Sequence, residues 1–317
     1  MQPQDKKITI KYRIEYMFFI AFVAMLKLSP LAIAPLYRKM LRFIYRKYAK
    51  RYHRVVDKNL HIVFPHETEE NLTRLKEKIY RHFSAIMVEI IYMFVKKSST
   101  ATKILKPIEI RGLHLLENAL AKQSGVILFS AHFGNWELVP YILGRKLDCP
   151  INSIAREMNN PLVEQKVKRF REYMGSAVIY KQHSLRTMLS RLKDNGIVYL
   201  LIDHHAVARE AVTVEFFGRD AGAVPIVAQL HLKKAIPALP VFLHYETDKI
   251  VLEILDEIRM DRTEAVEQDI VRLSRECLTI IEEKIKQYPE QWFWFHDRWK
   301  IGAHSKGSVG NVEKGEI

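Results

Sequence analysis

The chain has 317 residues, 48% of them hydrophobic, which is ample for a core in one large domain or two small ones. Its two cysteines, Cys149 and Cys277, exclude a disulfide framework and have no metal-ligand spacing, so a reducing compartment is the simplest reading. The 50 Lys and Arg residues against 36 Asp and Glu leave a net charge of +14, which points to a polyanionic partner: nucleic acid, an anionic lipid surface or an acidic protein.

The first predicted element is apolar. Met17 to Leu26 carries no charge, Lys27 follows, and Leu28 to Leu36 is broken by Pro30 and Pro35. The uncharged run falls short of the roughly 20 residues that span a bilayer. With Lys27 snorkelling, the stretch from Met17 to Leu36 either spans marginally or lies in the interface as a broken hairpin. A basic, aromatic-bearing helix comes next, with Arg38, Lys39, Arg42, Arg46, Lys47, Lys50, Arg51, Arg54 and Lys58 opposed only by Asp57. An apolar segment beside such a helix is an address on the cytoplasmic face of a membrane, where each Lys or Arg near anionic lipid is worth about 1 kcal/mol. A buried core helix with a solvated basic neighbour is the competing reading. A cleaved signal peptide fits less well, for there is no small-x-small site and the basic block opposes export. No helix-turn-helix, zinc spacing or aromatic sheet motif supports nucleic acid.

Downstream, Leu72, Leu75, Ile79, Phe83, Ile86 and Ile90 recur at helical spacing and predict a helix over Glu69 to Val95. From Ile108 strands alternate with helices. Val126 to Phe129 reads as a strand, Trp136 to Lys146 as a helix and Ile151 to Ala155 as a strand. Pro161 then opens a helix closed by Gly175, Ala177 to Tyr180 reads as a strand, and Ser184 caps a helix ending at Asn195-Gly196. The continuous apolar run Ile197 to Ile202 has the character of a strand buried on both faces. Strands around Ala238 to Tyr245 and Ile250 to Ile254 precede an amphipathic helix from Thr263 to Gln287, stopped by Pro289. The pattern predicts an α/β fold: a mostly parallel central sheet flanked by helices, with an N-terminal membrane-associated helical segment. It divides the chain into an anchor and basic helix over 1–58, an α/β domain over 59–302 and a disordered tail over 303–317.

Candidate chemistry gathers where strands end. In an α/β sheet the carboxyl ends of strands face the ligand crevice, and His132 follows the first of them, Arg156 the second and Asp203-His204-His205 the run ending at Ile202. A neutral imidazole accepts a proton near pH 7, and a carboxylate on its other nitrogen fixes the tautomer; Glu137, five positions on, is the candidate for that partner. Taking about 100° per residue, Arg171 falls roughly 80° from Val163, on the border of the apolar stripe, and Arg169 at roughly 240°, toward solvent. Arg171 is therefore the one expected to reach inward, and Arg156 and Arg171 suit bidentate contacts to an anion. No second ligand group accompanies Asp203-His204-His205, so neither metal nor cofactor is expected. Ser130 lacks a nucleophile elbow, and no glycine-rich phosphate loop appears. The ending Pro289 to Lys300 packs three of the chain's four tryptophans beside cations; it suits a membrane interface, the mouth of an acyl-chain groove, or core packing, with His296 structural.

From about Tyr12 to Lys300 the sequence resembles the late lipid A acyltransferases of Gram-negative bacteria and their lysophospholipid acyltransferase relatives. The resemblance is carried by Asn59-Leu60 and Phe64-Pro65, Ala131-His132-Phe133-Gly134-Asn135-Trp136-Glu137, Ala155-Arg156 with Asn160-Pro161, Arg171 with Gly175, Asp203, Phe216-Phe217-Gly218 and the ending from Pro289. It implies transfer of a fatty acyl chain from an acyl carrier protein thioester, or acyl-CoA, to a hydroxyl of a lipid A precursor at the cytoplasmic face of the bacterial inner membrane. His132 would be the general base and Glu137 its orienting partner. Backbone amides near Gly134 and Asn135, or Arg171, would meet the oxyanion. Gly134, Asn135, Arg156, Arg171 and Asp203 are the expected substrate contacts. A lysophospholipid or other glycolipid acceptor, a hydrolase using the same base on water, and a non-catalytic membrane-binding relative are the alternatives. The chain departs from the family pattern at His204, where glutamine is common, at Glu215, in place of proline, and at Asp297, in place of arginine.

Overall fold

The structure, a computed structural model, describes residues 8–48, 50–95, 102–180, 184–206, 211–260 and 262–299. Lys300 and the tail expected over 303–317 lie outside the described residues.

Helix α1 (Ile10–Leu28) is capped by the Thr9 side chain, which accepts from the Tyr12 N–H, and Pro30 ends it. A short turn leads to α2 (Ala34–Tyr48), bent by 107° from α1. No single helix among the described residues is long and apolar enough to cross a membrane. The basic stretch is divided between α2 and α3 (Lys50–Val63), and the boundary expected at residue 58 lies within α3. Helix α4 (Glu69–Val95) follows the predicted stripe, with Leu72, Ile79 and Ile86 buried.

Strand β1 (Ile108–Arg111) and α5 (Leu113–Leu120) lead to β2 (Val126–Ser130), α6 (Leu138–Leu147), β3 (Ile151–Ala155), α7 (Pro161–Tyr173), β4 (Ser176–Tyr180), α8 (Ser184–Lys193) and β5 (Ile197–Leu201). The hairpin β6 (Val212–Phe216) and β7 (Arg219–Ala223), then α9 (Ile226–Lys234), β8 (Ala238–Tyr245), β9 (Ile250–Ile254) and α10 (Val266–Gln287) complete the described elements. β1, α5, the β6–β7 hairpin and α9 lie where the sequence pattern places no element. β6 does alternate, with Val214 and Phe216 buried and Thr213 and Glu215 exposed, but over only five residues, and α9 buries Val227, Ala228, Leu230 and Leu232 without a single apolar stripe.

The main sheet has the order β1-β9-β8-β2-β5-β3-β4. β8, β2, β5, β3 and β4 run parallel, and β9 reverses the direction against β8. Alternate side chains of β2 feed two separate cores: Ile127 and Phe129 pack on one face, Val126 and Leu128 on the other. The sheet is thus covered on both sides, which is why β2 and β5 read as unbroken apolar runs.

Candidate active site

Register assembles the site. Strands β2 and β5 are parallel neighbours with Ser130 opposite Leu201, so His132 and Asp203, each two residues further on, emerge side by side at the carboxyl edge. His132 Nδ1 lies 2.7 Å from Asp203 Oδ1, and the His132 backbone N–H donates to Asp203 Oδ2 at 3.0 Å. Trp292 Nε1 donates to the same oxygen at 2.8 Å. Asp203 is almost fully buried. Burial alone would raise its carboxyl, but the adjacent imidazole and the indole N–H override it and hold the group below the ordinary carboxylate range. An ionised Asp203 accepts from Nδ1–H, which leaves the Nε2 lone pair of His132 free to take a proton; Nε2 has no partner among the described residues.

This corrects the expected pairing of His132 with Glu137. Glu137 sits at the entry to α6, and its carboxylate accepts from Arg171, with Nη2 at 3.0 Å from Oε1 and Nε at 3.4 Å from Oε2. Both are partly buried. Burial disfavours the guanidinium charge, and the Glu137 carboxylate more than restores it. Arg171 does turn inward and Arg169 is exposed, as the helical angles require.

Gly134 and Asn135 frame the loop, and the Gly134 N–H and the Asn135 side chain are both engaged within the protein. Gly134 has φ +53°, and a Cβ there would stand 1.8 Å from the Leu243 carbonyl oxygen, so the loop lies against β8 at a distance only glycine permits. Its N–H is already donated to the Gln291 carbonyl at 2.9 Å. Asn135 is fully buried, and its Nδ2 points to Glu89 Oε2 at 3.4 Å. Glu89 is shared further: the Tyr245 hydroxyl donates to it and Arg38 Nη2 approaches Oε1 at 3.7 Å. Burial raises the Glu89 carboxyl. Arg156 is exposed beyond β3, one strand out from β5, without hydrogen bond or ion pair to the other candidates.

The aromatic ending is buried framework. Trp292, Trp294 and Trp299 are nearly inaccessible, and Trp292 bridges Phe133 in antiparallel fashion. Gln291 clamps the loop to β8: its Nε2 donates to the Tyr245 carbonyl at 2.8 Å and its Oε1 accepts the Tyr245 N–H at 2.8 Å. Gln291 leaves no signal in the sequence beyond its place inside the aromatic run. The positions that depart from the family pattern also have local partners. Asp297 pairs with Lys58 at 2.7 Å, and Glu215 with Arg275 at 3.3 Å.

His204 stacks on His132, with ring centroids 3.7 Å apart and planes 4° from parallel, and on His296 at 4.2 Å. His296 Nε2 accepts the His205 N–H at 2.9 Å. Burial pushes His204 down to about 4, so it is neutral at pH 7. His132, Asp203 and His204 hold ligand-capable atoms within 4.8 Å of one another. Their chemistry fits proton handling better than a metal: the parallel rings aim their in-plane lone pairs side by side instead of at one point, and Asp203 already accepts three hydrogen bonds.

Comparison with known proteins gives a consistent picture. The family model described as bacterial lipid A biosynthesis acyltransferase matches residues 2–301. A lipid A biosynthesis acyltransferase of Haemophilus influenzae is 26% identical over 250 residues, covering 78% of this chain and 75% of the relative. A lipid A biosynthesis palmitoleoyltransferase of Escherichia coli is 24% identical over 268 residues, 83% of this chain and 84% of the relative. A phosphatidylinositol mannoside acyltransferase of Mycobacterium tuberculosis is 21% identical over 194 residues, 60% of this chain and 59% of the relative.

Proposed function

The chain belongs to the bacterial lipid A biosynthesis acyltransferase family, and from that premise we propose that it moves a fatty acyl group from an acyl carrier protein thioester to a hydroxyl of a lipid A precursor, with His132 as general base oriented by Asp203. The observation that carries this reading is the 2.7 Å bond between His132 Nδ1 and the buried Asp203 carboxylate at the ends of adjacent strands.

An alcohol with a pKa near 16 is a poor nucleophile at neutral pH, so its proton must leave as the oxygen attacks. His132 Nε2 takes that proton, the alkoxide oxygen bonds to the thioester carbonyl carbon, and a tetrahedral intermediate forms. Collapse breaks the carbon–sulfur bond, and the departing thiolate receives the proton from Nε2. Asp203 stabilises the imidazolium between these steps. A base so placed contributes roughly 10²–10⁴-fold. Arg171, held by Glu137, offers positive charge to the carbonyl oxygen as it becomes an oxyanion. The net charge of +14 suits an acidic carrier protein as donor.

The test is mass spectrometry of products from detergent-purified protein supplied with carrier protein thioesters and either a tetra-acylated lipid A precursor or a lysophospholipid. One added acyl group on the lipid A precursor, absent with His132→Ala, is the expected result. Acylation of the lysophospholipid alone would reassign the acceptor, and free fatty acid alone would make the protein a hydrolase. The mycobacterial relative gives a second acceptor arm, an acylatable glycolipid of another class.

A further inference from the structure

Helix α1 is fastened to the domain at its start, middle and end. Asn160, which caps α7 by accepting from the Leu162 N–H, uses its Nδ2 to hold the Tyr12 carbonyl at 2.9 Å and the Glu15 carboxylate at 3.0 Å. Phe19 meets Phe94 of α4 edge-on at 5.8 Å. At the far end Leu26 is buried, and the Ser29 hydroxyl lies 3.1 Å from the Tyr92 hydroxyl. At 1.5 Å per residue its 19 residues measure about 28 Å, close to the thickness of a bilayer core. Length alone would let α1 span. A spanning α1, however, would have to drag α4 and α7 into hydrocarbon or break these bonds.

Past an exposed Lys11–Glu15 pair in its first turns, the face of α1 turned away from the domain is mostly apolar. Ile10, Phe18 and Leu28 are 78%, 73% and 85% exposed, with Ile14, Met17, Phe22 and Met25 along the same row. After the 107° bend α2 in turn exposes Leu36, Met40, Phe43 and Ile44. Exposed apolar side chains in this number on adjoining helices mark an interaction site. Beside it a groove of about 380 Å³ is lined by Lys39, Arg42, Phe43, Arg46 and Lys47. Lys47 lies over the Phe43 ring at 5.6 Å, and Arg46 leans on Glu77 at 3.4 Å. Apolar and cationic rows on one pair of helices match the two layers of a single leaflet, acyl chains and anionic headgroups.

We propose that α1 and α2 form a docking platform that lies within one leaflet of an anionic bilayer, the α1 row among the acyl chains and lipid phosphates in the α2 groove, with both ends of α1 on the domain's side. An acidic protein would complement the cations of α2 but leave the apolar row of α1 uncovered, so lipid is the occupant the surface favours.

The test uses the full chain in sealed vesicles of phosphatidylcholine and phosphatidylglycerol and does not depend on acyl transfer. In a Cys149→Ala background, with Cys277 buried, Ile8→Cys and Lys193→Cys are exposed separately to a membrane-impermeant maleimide. Equal labelling of the two is expected. Protection of one until detergent is added would mean that α1 spans, and would overturn the proposal. In flotation assays Lys39→Glu/Arg42→Glu/Lys47→Glu should weaken binding at least tenfold and abolish its dependence on phosphatidylglycerol. Phe18→Asp/Phe22→Asp should weaken binding even without anionic lipid. Unchanged flotation of the charge-reversed protein, with lost affinity for an acyl carrier protein, would reassign the groove to that partner. Lys39, Lys47, Phe18 and Phe22 are exposed and Arg42 half-buried, and an unchanged thermal transition confirms that the variants fold.

Discussion

At the level of single residues the dyad makes distinct predictions for its two members. His132→Ala removes the base and should abolish transfer. Asp203→Asn is more informative. An amide turned to donate toward Nδ1 puts the imidazole proton on Nε2, the wrong nitrogen for a base. We expect kcat to fall roughly 10²–10⁴-fold with KM little changed; a loss under threefold in steady-state assays would remove Asp203 from the mechanism. Glu137→Ala should nearly abolish transfer by releasing Arg171, and Arg171→Ala should do comparable damage with little additional loss in the double variant, whereas Arg169→Ala is mild. Losses that multiply would show that the pair does not act as a unit. The stacked His204 bears on stability. Its folded value is depressed to about 4 against 6.5 for the ordinary group, so between these values the unfolded chain binds a proton that the native one does not. Its contribution is complete above about pH 6.5 and is lost as pH falls toward 4, at up to about 1.4 kcal/mol per pH unit. Urea midpoints at pH 7.5 and 5.0 should therefore differ less in His204→Gln than in the parent.

Among the elements, the loop that carries His132 is held by close backbone approach as well as by the side chains of Asp203 and Gln291. Gly134→Ala must either leave its left-handed conformation or displace Leu243, and we expect roughly 2–4 kcal/mol of destabilisation in a denaturant titration, together with loss of transfer. A thermal midpoint like that of the parent would contradict the close packing. The same loop shows which part of the site was legible beforehand. The long periodic elements, α4, α7 and the two-faced strands β2 and β5, follow directly from hydrophobic spacing. His132 and Asp203 are both legible as candidates because each follows the end of such a strand. Their partnership is not, because strand order is a long-range property: residues 71 positions apart meet only since β5 lies beside β2. Local spacing favoured Glu137, and the turn into α6 instead carries that carboxylate to Arg171. The attachment of Asn135 to Glu89 and the clamp formed by Gln291 are illegible for a related reason: their partners, Glu89 for the one and Tyr245 and Gly134 for the other, are distant in sequence and leave no periodic trace.

Considered as a whole, the molecule joins its N-terminal helices to its reacting edge through buried charge. Arg38 on α2 meets Glu89 on α4, and Glu89 meets both Tyr245 and Asn135 of the loop that carries His132. Arg38→Ala leaves Glu89 buried without its cation, which should cost about 1–2 kcal/mol. The loss should be greater at pH 7.5 than at pH 5, where Glu89, its carboxyl already raised by burial, takes up a proton more readily. Equal losses at both pH values would place the effect in packing.

A practical consequence of that relay concerns how such a protein is cut and recombined. Trimming the chain at the start of α3 to obtain a soluble fragment would remove Arg38 and strip the cover from Tyr92 and Phe94, so the fragment would be a wounded enzyme and not a liberated catalytic core. A leader borrowed from a relative would graft successfully only if α4 travelled with it.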